Sequence, residues 1–238
     1  MTPSIWTGMY SGIPLDQAIA ALSSHGWATF EISTEHLVRI DSSDRESARR
    51  QIDSALQAAV RLSATMPQAH AYLQADLASP DDVARERDIA VLARHLALCA
   101  ELGVSVVVMP PGVYDAGSDR ETVERVHRQN VDALRRLGET AASLGLRIGL
   151  ENLMRPPVSD PGALLALIDE VGGDVFGVTL DTSHANVMGI DTPAAIRAIG
   201  SRLIATHISD NDGSGDQHRT PATDRPHALL APFSQRPA

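Results

Sequence analysis

The sequence predicts an α/β protein built as a (β/α)8 barrel. Three observations predict it. Aliphatic strands alternate with amphipathic helices along most of the 238 residues, the pattern of βα units on a parallel sheet. Aromatic residues make up only 3% and apolar residues 43%, so Ala, Val, Leu and Ile fill the core, as suits parallel strands buried on both faces. Seven strands recur at about thirty residues per unit, one unit short of eight.

The elements follow in order. Ser4–Gly8 is a short strand, and Pro14–Gly26 a helix with Leu15, Ile19 and Leu22 on one face and Gly26 at its end. Trp27–Ser33 is the second strand, Ser43–Leu62 a helix, and Ala64–Leu73 contains the third strand. Ser79–Leu102 is a long helix, opened by Ser79-Pro80-Asp81-Asp82 and closed at Gly103. That opening supplies a cap, a proline at the first helical position and acids in the first turn. Val104–Met109 is nearly all β-branched and is stopped by Pro110-Pro111-Gly112. Ser118–Leu144 is a helix, Leu146–Glu151 the fifth strand, and Asp160–Val171 a helix. Val175–Asp181 is the sixth strand, Thr192–Ile199 a helix and Leu203–Ser209 the seventh strand. An open sheet binding a dinucleotide would want a glycine-rich turn after its first strand. Gly8-Met9-Tyr10-Ser11-Gly12 is not G-x-G-x-x-G, which favours the barrel.

Charge and composition narrow the function. The net charge of -10 argues against a polyanion such as DNA as main partner. The single cysteine, Cys99, sits in a helical pattern and reads as a small core residue in a reducing compartment. The first residues given lack a basic stretch followed by an apolar one, and no apolar run approaches membrane-spanning length. The expectation is a soluble, cytoplasmic protein.

In such a barrel the C-terminal ends of strands carry the active site. Strand two ends near Glu31, strand three at His70, strand five at Glu151 and Asn152, and strand six at Asp181 with His184 three residues on. Strand seven offers His207, then Asp210, Asn211 and Asp212, and further on Asp216 and His218. Each has a plainer reading alone: Asp181 as a helix cap, His207 as a core histidine, Glu31 as the partner of an arginine. Together, Glu151, Asp181 and His207 lie at the same point of three successive strands. Two carboxylates and an imidazole converging after aliphatic runs conflict unless a cation lies between them. Two oxygen ligands and one nitrogen suit Mn²⁺, Mg²⁺, Co²⁺ or Zn²⁺.

These segments, "LENLM", "LDTSHANVMG" and "THISDNDGSGDQH", resemble the sugar phosphate isomerase/epimerase family with a xylose-isomerase-like TIM barrel, related to AP endonuclease family 2. The resemblance runs from Ser4 to about His218. It implies metal ligands at Glu151, Asp181 and His207, with Mn²⁺ or Mg²⁺ favoured. It implies a substrate-holding histidine at His184 and substrate contacts near Glu31 and His70. Asp216 and His218 resemble a D-x-H pair that supports a second metal in the endonuclease branch. Arg155 would meet a substrate phosphate or carboxylate, or a surface acid.

Two departures accompany the resemblance. Strand four ends in Met109-Pro110-Pro111-Gly112, where the endonuclease branch has a histidine. No Glu follows Glu170, whereas the family's fourth ligand is a glutamate on strand eight. The tail carries Pro221, Pro226, Pro232 and Pro237, which oppose a central strand. The expectation is therefore a barrel over residues 1–218, incomplete at the C-terminus with strand eight missing or replaced, and an irregular tail over 219–238. The implied reaction is metal-assisted proton transfer on a small polyhydroxylated substrate, with Glu151 moving the proton. The rivals are a metal-dependent hydrolase of the AP endonuclease type and a truncated barrel with little or no catalysis. Open edge strands in the last case would favour homo-oligomers.

Overall fold

A computed structural model describes residues 2–172 and 174–220. Its strands are β1 (Ile5–Trp6), β2 (Thr29–Ile32), β3 (Thr65–His70), β4 (Val106–Met109), β5 (Arg147–Glu151), β6 (Phe176–Asp181) and β7 (Leu203–His207). Its α-helices are α1 (Leu15–Ser24), α2 (Thr34–Asp41), α3 (Arg45–Arg61), α4 (Asp82–Glu101), α5 (Arg120–Ser143), α6 (Pro161–Val171), α7 (Thr182–Val187) and α8 (Thr192–Ile199). The strands form one seven-stranded sheet in sequence order, and the pairings β1–β2, β2–β3, β3–β4 and β6–β7 are parallel. The fold class is the expected one. Residues 221–238, on which the replacement of strand eight was expected, lie outside the described residues.

The chain falls into two compact units. Unit 1 holds the residues up to Met109 together with Arg136–Ile148; unit 2 holds Pro110–Arg135 and the residues from Gly149 on. The division falls within α5 and β5.

In unit 1, α1 buries Leu15, Ala18, Ile19 and Leu22, the three-and-four spacing of an amphipathic helix. It ends where Gly26 takes φ +90°, a conformation open to glycine at no steric cost. Phe30, Ile32, Ala69, Val107 and Val108 are fully buried on the strands. Pro67 lies inside β3, and the β2–β3 register shifts opposite it, between Thr29 and Glu31; the irregularity accommodates a residue with no N–H to donate. Cys99 is buried in α4, as expected, and burial pushes its thiol pKa up.

One helix adds to the sequence reading and one cap is corrected. Residues 34–41, between the second strand and the helix Ser43–Leu62 read from the sequence, form the helix α2. The cap of α4 is Asp81, whose side chain accepts from Val83 and Ala84 N–H, and not Ser79. The short Asp carboxylate two residues later reaches the first free N–H groups, so Pro80 precedes the helix instead of starting it.

In unit 2, β6 is buried at every position. Gly177 lets β7 approach: a Cβ there would meet Ile204 Cγ2 at 2.6 Å and the Arg202 carbonyl at 2.8 Å. This close packing fixes the start of the strand that delivers His207. Pro161 opens α6 at its first position, where no hydrogen bond is lost. Among the described residues no helix is long and apolar enough to cross a membrane.

Candidate functional site

The ends of β5 and β6 bring two carboxylates into the buried interior of unit 2. Glu151 is 4% exposed and Asp181 2%. Each closes an aliphatic strand, so each stays where its strand is buried. A buried charge is costly without partners, and here the partners are visible. Asp181 caps α7: its Oδ1 accepts from His184 N–H at 2.9 Å. The cap role read from the sequence and the site role coexist, because Oδ2 is left to face His207 Nδ1 at 3.8 Å. His207 Nδ1 lies 2.5 Å from Glu151 Oε1.

The backbone of Asp181 is held by a side chain from β5's end. Asn152 Oδ1 accepts from Asp181 N–H at 2.7 Å, and Asn152 Nδ2 donates to the Asp181 carbonyl at 3.1 Å. The Asn152 carbonyl in turn lies 2.7 Å from His184 Nδ1. A carbonyl only accepts, so that nitrogen carries a proton. His184 Nε2 then faces Asp216 Oδ2 at 3.3 Å.

Electrostatics follow from this packing. Burial raises the Asp181 pKa, Glu151 adds to the rise, and His184 and His207 oppose it. For His184, burial pulls the pKa down, but Asp181, the Asn152 carbonyl, Glu151 and Asp216 outweigh it and the pKa is raised. Ligand atoms of Glu151, Asp181 and His184 lie within 4.8 Å of one another, so this cluster could hold a metal ion. Donor chemistry separates the two imidazoles. His184 Nδ1 is committed to the Asn152 carbonyl, whereas His207 Nδ1 points at both carboxylates.

The remaining expected site residues are distributed as follows. Asp216 reaches the cluster through His184, accepts from Ser183 Oγ at 3.1 Å, and meets His218 Nε2 at 2.9 Å. His218 itself is largely exposed and has φ 47°. Arg155 ends on Asp115 at 2.7 Å, both of them exposed, which is the surface-acid alternative. Glu31 and His70 belong to unit 1; both are buried, and His70 Nδ1 lies 3.0 Å from the Ala71 carbonyl. Asp210 is buried and pairs with Arg219 through the backbone, which returns the chain after β7. Asn211 Nδ2 donates to the Ser183 carbonyl at 2.8 Å, tying this segment to α7. The clamp by Asn152 was not foreseen; the only sequence signal was an amide directly after a strand-end carboxylate.

The chain is similar to several known proteins. A model of the xylose isomerase-like TIM barrel family matches residues 19–231, further than the resemblance read to His218. An inosose isomerase of Bacillus subtilis is 28% identical over 116 residues, covering 48% of this chain and 41% of that protein. An L-ribulose 3-epimerase of Mesorhizobium japonicum is 26% identical over 221 residues, covering 90% of this chain and 68% of that protein. The match thus spans less than half of the isomerase's length. Among solved structures, a D-tagatose 3-epimerase-like protein superposes with TM-score 0.76 at 21% identity, covering 92% of this chain and 79% of that one.

Proposed function

Because the chain belongs to the xylose isomerase-like TIM barrel family, we propose that it is a metal-dependent isomerase or epimerase of a small sugar, sugar phosphate or polyol. The observation that carries this reading is the convergence of Glu151, Asp181 and His207 Nδ1 at the ends of β5, β6 and β7. The relatives named above are a sugar epimerase and an inosose isomerase, which supports the same class.

The donor set fits a divalent ion. Two buried carboxylates side by side call for a positive charge, and an imidazole lone pair completes a mixed oxygen and nitrogen set. Glu151, Asp181 and His207 would hold the ion, Mn²⁺ or Mg²⁺ in preference to Co²⁺ or Zn²⁺. When bound, it would supply Lewis-acid polarisation of a carbonyl oxygen.

The chain's own residues do the rest. Glu151 presents a partly desolvated carboxylate that takes or returns the proton on the carbon beside the carbonyl. His184 is held in one tautomer by the Asn152 carbonyl, and its Nε2 side binds a substrate oxygen with Asp216 behind it. Asp181 stays anchored at the start of α7 and lends its charge without leaving its cap. Burial excludes bulk water from both carboxylates.

The test is deuterium uptake from D2O into a ketose or inosose by the metal-loaded chain. Glu151→Gln should slow exchange by at least about a hundredfold, the lower end for general acid–base groups, and lower the bound metal. Unchanged exchange and metal content in that variant would end this reading.

A further inference from the structure

Two asparagines of unit 2, Asn130 and Asn152, are each only 1% exposed and use their amides in the same way. Asn130, on α5, accepts from Gly112 N–H at 2.7 Å and donates to the Gly112 carbonyl at 2.8 Å. Asn152 makes the same pair of bonds to the backbone of Asp181. A primary amide carries an acceptor and a donor side by side, as a peptide group does. Each therefore satisfies both backbone groups of one buried residue. The difference is what the gripped residue carries. Gly112 has no side chain, whereas Asp181 bears the carboxylate that faces His207 and neighbours Glu151.

The course of the chain explains the second grip. β5 stops at Glu151, while its neighbour β6 runs on through Asp181. Beyond Glu151 the backbone has turned away. Leu153 N–H donates to the Val158 carbonyl, and the Asn152 carbonyl faces His184 Nδ1. The side-chain amide of Asn152 thus stands in for the next peptide of β5. An aspartate side chain is short, so its oxygens follow its backbone closely. Oδ1 of Asp181 is already fixed by His184 N–H at 2.9 Å. Whatever fixes the Asp181 backbone therefore also fixes where Oδ2 is aimed.

We propose that Asn152 is a positioning residue for the metal: by gripping the backbone of Asp181 it holds Oδ2 toward His207 and sets the affinity of the site for a divalent ion. This rests on the metal-site reading above. Groups that hold metal ligands in place are worth about ten- to a hundredfold in affinity. Asn130 is the internal control. It has the same burial and the same two bonds, on a residue with no ligand to aim.

The experiment is a titration of the full chain with Mn²⁺ at about pH 8, read by the EPR signal of free Mn²⁺. It compares wild type, Asn152→Asp, Asn152→Ala and Asn130→Asp. Asn152→Asp is nearly isosteric and sets a carboxylate oxygen against the Asp181 carbonyl in place of the Nδ2 donor. It also adds a negative charge beside the ion, which on charge alone tightens binding. Positioning predicts the reverse: both Asn152 variants bind Mn²⁺ about tenfold or more weakly than wild type. Asn130→Asp should melt at lower temperature yet keep wild-type affinity. A thermal melt in EDTA checks that each variant is folded, and Asn152→Ala, which adds no charge, carries the test if Asn152→Asp is not. Tighter binding by Asn152→Asp, wild-type affinity in folded Asn152→Ala, or an equal loss in Asn130→Asp overturns the proposal alone. Failure of wild type to bind Mn²⁺ overturns the metal-site reading and this proposal with it.

Discussion

His184 and His95 are both buried imidazoles on helices, one in each unit, and their environments push them in opposite directions. His184 is hydrogen-bonded at both nitrogens and ringed by Asp181, Glu151 and Asp216; its pKa is raised despite burial. His95 is fully buried, with no hydrogen bond at either nitrogen among the described residues. Burial drives its pKa down to about 4, Asp41 opposing and Arg94 assisting. Burial alone thus does not set the charge of a histidine. The carboxylates and carbonyls that its fold delivers decide the sign. One ring is held in a polar network, and the other packs against Tyr72.

The contrast also fixes two opposite pH responses. For His184 the folded pKa lies above the unfolded one, so its contribution to stability is fully present below the unfolded value of about 6.5 and fades as pH rises through the folded value. For His95 the folded pKa lies below, so it costs nothing above about 6.5 and progressively more as pH falls toward 4.

The comparison can be broken at three places. The largest effect is expected at His184: His184→Phe should cut ketose proton exchange by about two to three orders of magnitude, as for loss of a polar group that binds a reacting oxygen. A steady-state assay at saturating metal checks it, and a rate near wild type would make His184 a structural residue only. Next comes acid stability. His95 should cost up to ~3 kcal/mol by pH 4, from the gap between 6.5 and about 4. Urea unfolding at pH 7 and pH 4 should therefore show a flatter acid loss in His95→Leu than in wild type; identical slopes would refute the unpartnered ring. The smallest effect is at Asp216. Asp216→Asn should lower the His184 pKa toward its ordinary value, read by NMR titration in chelator, and an unmoved titration would mean that the contact is absent in solution.

The sequence revealed the periodic features and concealed those made by distant pairing. β5, β6 and β7 were readable because their aliphatic runs end in a single charged or imidazole side chain. The Asp181–His184 spacing was readable because it spans a strand end and a helix start. α2 was not: it is short, its composition is polar, and it shares one connection with α3, so no helix was read over residues 34–41. The tautomer of His184 depends on the Asn152 carbonyl, 32 positions away, and no local pattern records such a bond. His95 sits in "LARHLAL" on a helix, where sequence shows an amphipathic face and cannot show that neither ring nitrogen is hydrogen-bonded among the described residues.

Asn152 binds the Asp181 backbone through both ends of its amide and takes His184 Nδ1–H on its own carbonyl. Asp181 and His184 are therefore referenced to one residue. A shift of β5's end would act on both groups through the same three hydrogen bonds. Anyone moving this acid and imidazole onto another scaffold would have to transplant three residues as one module; grafting the two functional side chains alone would leave out the part that keeps them in mutual register.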